Sequence, residues 1–298
     1  KTNAPLAKFS TFKIGGPAQF LVKVTEEEKL IELLNFVTGE GLEYFILGGG
    51  SNILFPDNGF DGVVIRVATE RVETKNHTIT AAAGTPLAQI VNAASKNELT
   101  GMEWAVGIPG TVGGAVRGNA GAMGKEVADC LQLVLVWQNG EIREMSAADC
   151  EFHYRGSNFQ SNGAVILSAT FQLKPGDKGE IMQAVQMYIK QRTGRYPLFP
   201  SAGSFFQNVN IKDWPGSVAE LPALFRERGK IPVGWLIEQC GLKGYTVGGA
   251  KISDEHGNFV INFQNATQAD VLKVVEEAQT EVYNRFKVHL EPEVEIVQ

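Results

Sequence analysis

The apolar positions of this chain follow two periods in turn, and they predict alternating helices and strands. In TEEEKLIELLNFV (25–37), Leu30, Leu33, Leu34 and Val37 recur at helical spacing, and Thr25 with Glu28 reads as a capping box. EYFIL (43–47) and GVVIRV (62–67) read as strands, so the opening is a small βαβ-like unit with a glycine loop behind one strand. HTITAAAG (77–84) is predicted as a strand, followed by a helix with Thr85 as its cap and Pro86 at its first position. LQLVLVWQNGEIREMS (131–146) reads as a hairpin turning at Asn139-Gly140, and AVILSATFQL (164–173) as a further strand.

After Pro175-Gly176 the pattern changes. EIMQAVQMYIKQR (180–192), WLIEQCGL (235–242) and DVLKVVEEAQTEVYNRF (270–286) are predicted helices. FVINF (259–263) is a short strand, and LEPEVEIV (290–297) is extended. The organisation expected is α+β throughout, in three parts: residues 1–70, 71–175 and 176–298, with 290–298 returning to the site of chemistry. No solenoid period is present.

Composition narrows the function classes. Of 298 residues, 44% are hydrophobic and 20% charged, which fits a globular chain with a sizeable core. A net charge of −6 disfavours a broad nucleic-acid face. No apolar run reaches the roughly 20 residues of a membrane span, and KTNAPLAKFST has no signal-peptide core. Cys130, Cys150 and Cys240 are widely spaced and form no CxxC pair, and the histidines are scattered. The expectation is therefore a reducing cytoplasm, with neither a disulfide framework nor a metal site.

The 33 glycines are clustered, and two clusters carry chemistry. In LGGGSN, Gly48, Gly49 and Gly50 expose backbone N–H groups, while Ser51 and Asn52 add side-chain donors. Such a loop either cradles phosphate oxygens or is a plain tight turn. In GIPGTVGGAVRGNAGA (107–122), glycine recurs at Gly107, Gly110, Gly113, Gly114, Gly118 and Gly121, more often than a helix or strand needs. Either two elements pack closely here or a wall of backbone donors faces an extended anionic cofactor. The spacing is neither a Rossmann fingerprint nor a P-loop. Two such loops favour a dinucleotide.

A polar trio stands out among the remaining residues: Arg155 in HYRGSNF, Ser204 in AGSFF and Glu293 in LEPEVEI. Each has an ordinary reading, as a surface ion-pair former, a turn cap and a solvated carboxylate. GSFF lacks the GxSxG elbow and has no neighbouring histidine, so an acyl-enzyme serine is disfavoured.

Taken together, GGGSNIL, GIPGTVGGAVRGNAGAMGKE, YRGSNF, YPLFPSAGSFFQN, WLIEQCGLKG, GGAKISDEHGNFVIN and LEPEVEI resemble the UDP-N-acetylenolpyruvoylglucosamine reductase family. PLAKFSTFKIGGPA resembles the family's start, so the resemblance covers almost the whole chain. It implies a two-subdomain FAD-binding unit of the vanillyl-alcohol-oxidase type and a C-terminal α+β domain for the UDP-sugar. It implies non-covalent FAD on Gly48, Gly49, Gly50, Ser51, Asn52, Gly107, Gly110, Thr111, Gly113, Gly114, Gly118, Asn119, Ala120 and Ile166. It places Arg155, Ser204 and Glu293 as the catalytic residues, and Arg192, Arg195, Asn208 and Gln239 on the UDP-sugar. The activity implied is NADPH-dependent reduction of UDP-N-acetylglucosamine enolpyruvate to UDP-N-acetylmuramate, in peptidoglycan precursor synthesis, by a cytoplasmic monomer. Ser204 would supply the proton and Arg155 would hold the substrate carboxylate. Glu293 would serve best protonated, as a hydrogen-bond donor. The alternative from the same fold is a flavin oxidase of alcohols or sugars.

The short LKPGDKG connection (173–179) resembles the family's second type, which lacks a longer insertion there. Two departures fall beside the substrate residues. Gln207 replaces a common lysine, and residues 210–231 form an insertion that reads as either a lid or an ordered surface loop. HGNF in place of HANF is expected to be mild.

Overall fold

The computed structural model describes residues 1–194 and 196–298. These form two compact units of α+β structure. Unit 1 comprises residues 1–4, 18–49 and 61–193; unit 2 comprises 5–17, 50–60 and 194–298.

Unit 1 is built on two sheets. One runs in the order Thr2–Pro5, Pro17–Val24, Phe60–Val67, Tyr44–Leu47, and its last two strands pair in parallel, Tyr44 opposite Val63. Residues 48–59, which carry the first glycine loop, join that parallel pair, and the helix Glu27–Gly39 connects Pro17–Val24 to Tyr44–Leu47. Its Leu30, Leu34 and Val37 are fully buried, each stabilising the unit by about 1.5–3 kcal/mol. The expected capping box at Thr25 does not form: Glu26 is the N-cap and makes no side-chain cap bond. Likewise Pro86, not Thr85, precedes the helix Leu87–Lys96, because the Thr85 hydroxyl donates to Arg71 O at 3.1 Å.

The second sheet has the order Glu141–Ser146, Leu131–Gln138, Val165–Gln172, Thr78–Ala82, Val72–Lys75. Its hairpin turns at Asn139 (φ 52°) and Gly140 (φ 85°), the left-handed pair that a two-residue turn requires. Both sheets and the helix Leu87–Lys96 contribute to one apolar core that includes Ile65, Ile79, Ile90, Trp104 and Trp137. The helix Lys178–Arg192, expected to open the third part, belongs to this unit instead. It packs on the 3₁₀ turn Glu103–Ala105, with Val185 and Tyr188 against the core. Unit 1 thus ends at Thr193.

Unit 2 gathers the three-stranded sheet Thr246–Val247, Ala250–Ile252, Val260–Asn262 under the helix Gln268–Phe286. Thr267 and Asp270 form a reciprocal capping box at the start of that helix, and Asp57 accepts from the next two N–H groups, Gln268 at 2.7 Å and Ala269 at 3.2 Å. Val271, Val274, Val275, Ala278 and Val282 form its buried stripe. The chain end returns as Glu295–Ile296, pairing in parallel with Ile53–Leu54. No helix among the described residues is long and apolar enough to cross a membrane.

Candidate active site

In unit 1 the two glycine loops meet backbone to backbone. A methyl group built on Gly48 would stand 2.7 Å from Thr111 Oγ1, and one on Gly49 would stand 3.0 Å from Gly110 Cα. Side chains at 48 and 49 would fill this cradle, which is why both positions are glycine. The second loop is hung from its neighbours by Leu87 N–H to Gly110 O (3.1 Å) and Val112 N–H to Thr85 O (2.9 Å). It then winds into the short helix Val112–Arg117, so the expected continuous wall of donors is interrupted. Gly113 N–H is committed to Ala83 O at 2.8 Å, and Gly118 N–H closes the helix on Gly114 O at 3.1 Å. Ala120 N–H bonds Ala115 O at 2.8 Å.

Two residues expected to touch a cofactor are placed as framework. Asn119 is completely buried; its amide donates to His153 O at 3.0 Å and accepts from Ala128 N–H at 3.1 Å. Ile166 lies in the core strand, opposite Val136. The glycine loop also splits between the units, with Gly48 and Gly49 in unit 1 and Gly50, Ser51 and Asn52 in unit 2.

Arg155 sits at φ 59°, a left-handed conformation uncommon for a non-glycine residue. A bridge between His153 and Gly156 forces that turn, and the Ser157 hydroxyl fastens it by donating to Arg117 O at 2.7 Å. The Arg155 guanidinium donates to Gly121 O at 2.8 Å and lies 5.1 Å from the Tyr154 ring centroid. The arginine is thus docked against the end of the second glycine loop.

Arg192 is the last residue of the helix Lys178–Arg192. It lies in unit 1, its guanidinium donating to Trp104 O at 3.2 Å and its Cδ 3.2 Å from where a methyl on Gly107 would stand. Within unit 1 the structure sets it beside the second glycine loop, at Gly107. Arg195 lies outside the described residues.

Unit 2 holds Ser204 and Glu293. Pro200 to Gly203 turns the chain, with Gly203 at φ 84°, and Phe205 and Phe206 plunge into the unit 2 core as an edge-on pair 5.3 Å apart. Ser204 is half-buried, and among the described residues its hydroxyl has no hydrogen-bond partner. Glu293 is brought alongside by its N–H, which donates to Phe205 O at 2.7 Å, and by an isolated bridge between Phe206 and Pro292. Gln207 N–H continues this pairing to Glu291 O at 2.9 Å.

Asn208 and Gln239 are not brought together. Asn208 Oδ1 caps the helix Val233–Gln239 by accepting from Val233 N–H at 3.1 Å. Gln239 is exposed at that helix's other end, about 10 Å along the axis. Sequence reading missed Asn258, a buried carboxamide bonded to Phe206, and the role of Gly257 before it. A methyl on Gly257 would stand 2.6 Å from Gly234 O, so the turn packs closely on that backbone.

The comparisons with known proteins agree with this geometry. A family model described as FAD binding domain matches residues 18–146, and one described as UDP-N-acetylenolpyruvoylglucosamine reductase, C-terminal domain, matches 192–297. The UDP-N-acetylenolpyruvoylglucosamine reductase of Carboxydothermus hydrogenoformans is 39% identical over 99% of this chain and 93% of its own length. That of Caldanaerobacter subterraneus is 40% identical, over 99% and 92%. The solved UDP-N-acetylenolpyruvylglucosamine reductase of Thermus caldophilus superposes with a TM-score of 0.80 at 33% identity, covering 99% of this chain and 97% of that one.

An α+β fold with a glycine cradle closed on a second glycine loop defines a flavin-dependent oxidoreductase that binds FAD. More narrowly, the chain belongs to the UDP-N-acetylenolpyruvoylglucosamine reductase family.

Proposed function

We propose that this enzyme reduces UDP-N-acetylglucosamine enolpyruvate to UDP-N-acetylmuramate at the expense of NADPH, in the synthesis of peptidoglycan precursor. FAD, when bound, would supply the two-electron chemistry that links oxidation of the nicotinamide to hydride addition at the vinyl β-carbon. The residues that fit it are the glycine cradle, Gly48, Gly49, Gly110 and Thr111, together with the loop from Gly107 and backbone groups up to Ala120. The division of the flavin-holding part into subdomains 1–70 and 71–175 belongs to this proposal. So does a contribution from Gly50 and Ser51.

The chain's own work is to manage charge and a proton. Addition at the β-carbon leaves negative charge on the α-carbon and its carboxylate. Arg155 is permanently charged, and its planar fork matches carboxylate oxygens. Glu293 assists in its protonated form, by donating a hydrogen bond. Ser204 hands its hydroxyl proton to the α-carbon. A weak acid suffices against an enolate if it is close and aimed, and solvent then restores the proton. The observation that carries this reading is the presentation of Ser204: a half-buried hydroxyl with no partner among the described residues, on a backbone fixed on both sides. Asn208, Gln239, Arg192 and Arg195 are assigned to the UDP-sugar, the two arginines as cations for its pyrophosphate.

A monomeric state and a cytoplasmic location belong to this reading; the location suits the free thiols Cys130, Cys150 and Cys240, with burial pushing Cys130 up to about 12 and Cys150 up to about 11. Size-exclusion chromatography checks the monomer.

The test of function is spectroscopic. The FAD-loaded protein is expected to show flavin bands that NADPH bleaches and UDP-N-acetylglucosamine enolpyruvate restores. Reoxidation by dioxygen alone, with no acceleration by the enolpyruvyl substrate, overturns the proposal.

A further inference from the structure

Ser204 has no side-chain partner among the described residues, so its aim depends on the peptides that follow it. A serine has one side-chain torsion with three staggered positions; where the hydroxyl points is otherwise set by the Cα–Cβ vector, and so by the backbone. Phe205 and Phe206 anchor that backbone. All four of their polar groups are bonded. Phe205 O accepts from Glu293 N–H at 2.7 Å. The other three bonds come from one residue, Asn258: its carbonyl accepts from Phe205 N–H at 2.7 Å, its Oδ1 from Phe206 N–H at 2.9 Å, and its Nδ2 donates to Phe206 O at 2.8 Å.

Asn258 is only 3% exposed, and it is itself fixed. Its N–H donates to His256 Nδ1 at 3.2 Å, and the turn carrying it abuts the backbone of Gly234. A carboxamide is the side chain that offers one donor and one acceptor side by side, the pattern a single residue's N–H and C=O demand. Buried, the pair also leaves no polar group of Phe206 unsatisfied.

We propose that Asn258 is a positioning residue for proton delivery: by clasping both backbone groups of Phe206 it holds Ser204 in line with the substrate's α-carbon. The inference rests on the reading of Ser204 as the proton donor. It makes a chemical demand that mere stabilisation does not. Only a side chain with a donor and an acceptor on two separate atoms at that reach can do the work; a serine's single, shorter hydroxyl cannot span both groups, and an ionised carboxylate would face Phe206 O with like charge.

The test uses the FAD-loaded full chain, substituted Asn258→Asp and Asn258→Ser. Rapid-mixing absorbance follows flavin reduction by NADPH and reoxidation by UDP-N-acetylglucosamine enolpyruvate, each between about pH 6 and pH 9. Flavin content and the reduction rate are expected within about twofold of the unsubstituted enzyme. Reoxidation is expected about 100-fold slower in both variants at the alkaline end, the scale of a misplacement near 1 Å. On acidification the Asp variant should recover toward the unsubstituted rate, because a protonated carboxyl again offers donor and acceptor. The Ser variant should stay slow.

The titratable groups facing the clasp are His256, bonded to Asn258 N–H, Glu293, bonded to Phe205 O, and Asp254 and Glu255 of the same turn. All are present in the unsubstituted enzyme, so the ratio of rates isolates the new carboxyl. Reoxidation at the unsubstituted rate in both variants overturns the proposal. So does a parallel loss of reduction, or an Asp variant whose relative rate ignores pH. Should the Asp variant not fold, the Ser variant alone decides, by slow reoxidation with intact reduction or by its absence. Ser204→Ala run alongside separates the two levels. Normal reoxidation there removes the proton-donor reading and this proposal with it. Slow reoxidation there, with normal Asn258 variants, removes this proposal alone.

Discussion

Asn52 and Glu293, 241 positions apart in the chain, are joined by one hydrogen bond: Asn52 Nδ2 donates to Glu293 O at 2.9 Å. Asn52 O accepts in turn from Glu295 N–H at 3.1 Å. The end of the first glycine loop therefore fixes the height of the Glu293 backbone. Asn52 was expected on the cofactor, but its amide is committed to the returning chain end. Asn52→Ala should keep its FAD and be reduced by NADPH normally. Its reoxidation by the enolpyruvyl substrate should slow about fivefold, the rate equivalent of one net hydrogen bond of about 1 kcal/mol. Rapid-mixing absorbance checks it. Loss of FAD with normal reoxidation of the loaded fraction would return Asn52 to the cofactor.

The cradle makes a separate demand. A methyl on Gly48 meets Thr111 Oγ1 at 2.7 Å, too close for a real contact. Gly48→Ala should fold, since the contact is local, yet it forces the two loops apart at about 1–3 kcal/mol. FAD should bind about 10- to 100-fold more weakly, measured by fluorescence quenching on titration. Removing the obstacle with Thr111→Ala in the Gly48→Ala protein should recover part of the affinity. An unchanged affinity for Gly48→Ala would show that the cradle does not hold the cofactor.

At Arg155 the left-handed backbone and the guanidinium can be separated by comparing Arg155→Gly with Arg155→Ala. Both lose the bond to Gly121 O. Only alanine retains the strain at φ 59°, so the glycine variant should be the more stable by about 1 kcal/mol in urea denaturation. Both should turn over about 100- to 1000-fold more slowly, since both lack the clamp for developing charge. Equal stability of the two would mean that the turn carries no strain.

What could be read along the chain, and what could not, divides by the range of the interaction. The stripe Val271, Val274, Val275, Ala278, Val282 and the Asn139-Gly140 turn are local, so their patterns are visible in a few consecutive residues. The paired loops and the trio Arg155, Ser204 and Glu293 could be singled out because their residue types are odd for their surroundings. The clasp of Asn258 on Phe206 spans 52 positions, and an asparagine in a turn looks like any other turn residue. The same holds for Asn119, whose amide bonds reach His153 and Ala128. Thr25 failed as a cap because the helix begins one residue later than its hydroxyl can serve.

His256 gives the fold a pH signature. Burial lowers its pKa from the ordinary value of 6.5, opposed by a backbone hydrogen bond. Its Nδ1 accepts from Asn258 N–H, and protonation would forfeit that acceptor. The unfolded chain then binds the proton more readily than the folded one. The stability His256 contributes is present in full above the unfolded value and is lost as pH falls from there toward the folded value. The melting temperature should fall as pH drops below about 6.5. His256→Gln should be less stable at pH 8 and flatter across that window. Parallel curves for the two proteins would exclude His256 as the source.

The insertion is the last feature to test. Val209–Asn210 and Lys230–Ile231 pair antiparallel, so residues 211–229 leave and rejoin unit 2 at one place. They are not a loose flap. Leu221 is buried in the unit 2 core, and Trp214 stacks 5.6 Å from Phe286, at the end of the helix Gln268–Phe286. Phe225 meets Trp235 edge-on at 5.3 Å, and Trp235 lies 6.2 Å from Phe286. These aromatics tie the insertion to the helix Val233–Gln239, which Asn208 caps. Trp214→Ala should therefore destabilise unit 2 by about 1–3 kcal/mol. Replacing 212–228 with a short glycine-serine bridge should raise the KM for the enolpyruvyl substrate while leaving flavin content unchanged, because the flavin-binding match ends at residue 146. Flavin absorbance per protein and steady-state kinetics read the two quantities independently. A variant that loses its flavin at unchanged KM would place the insertion's influence on the cofactor instead.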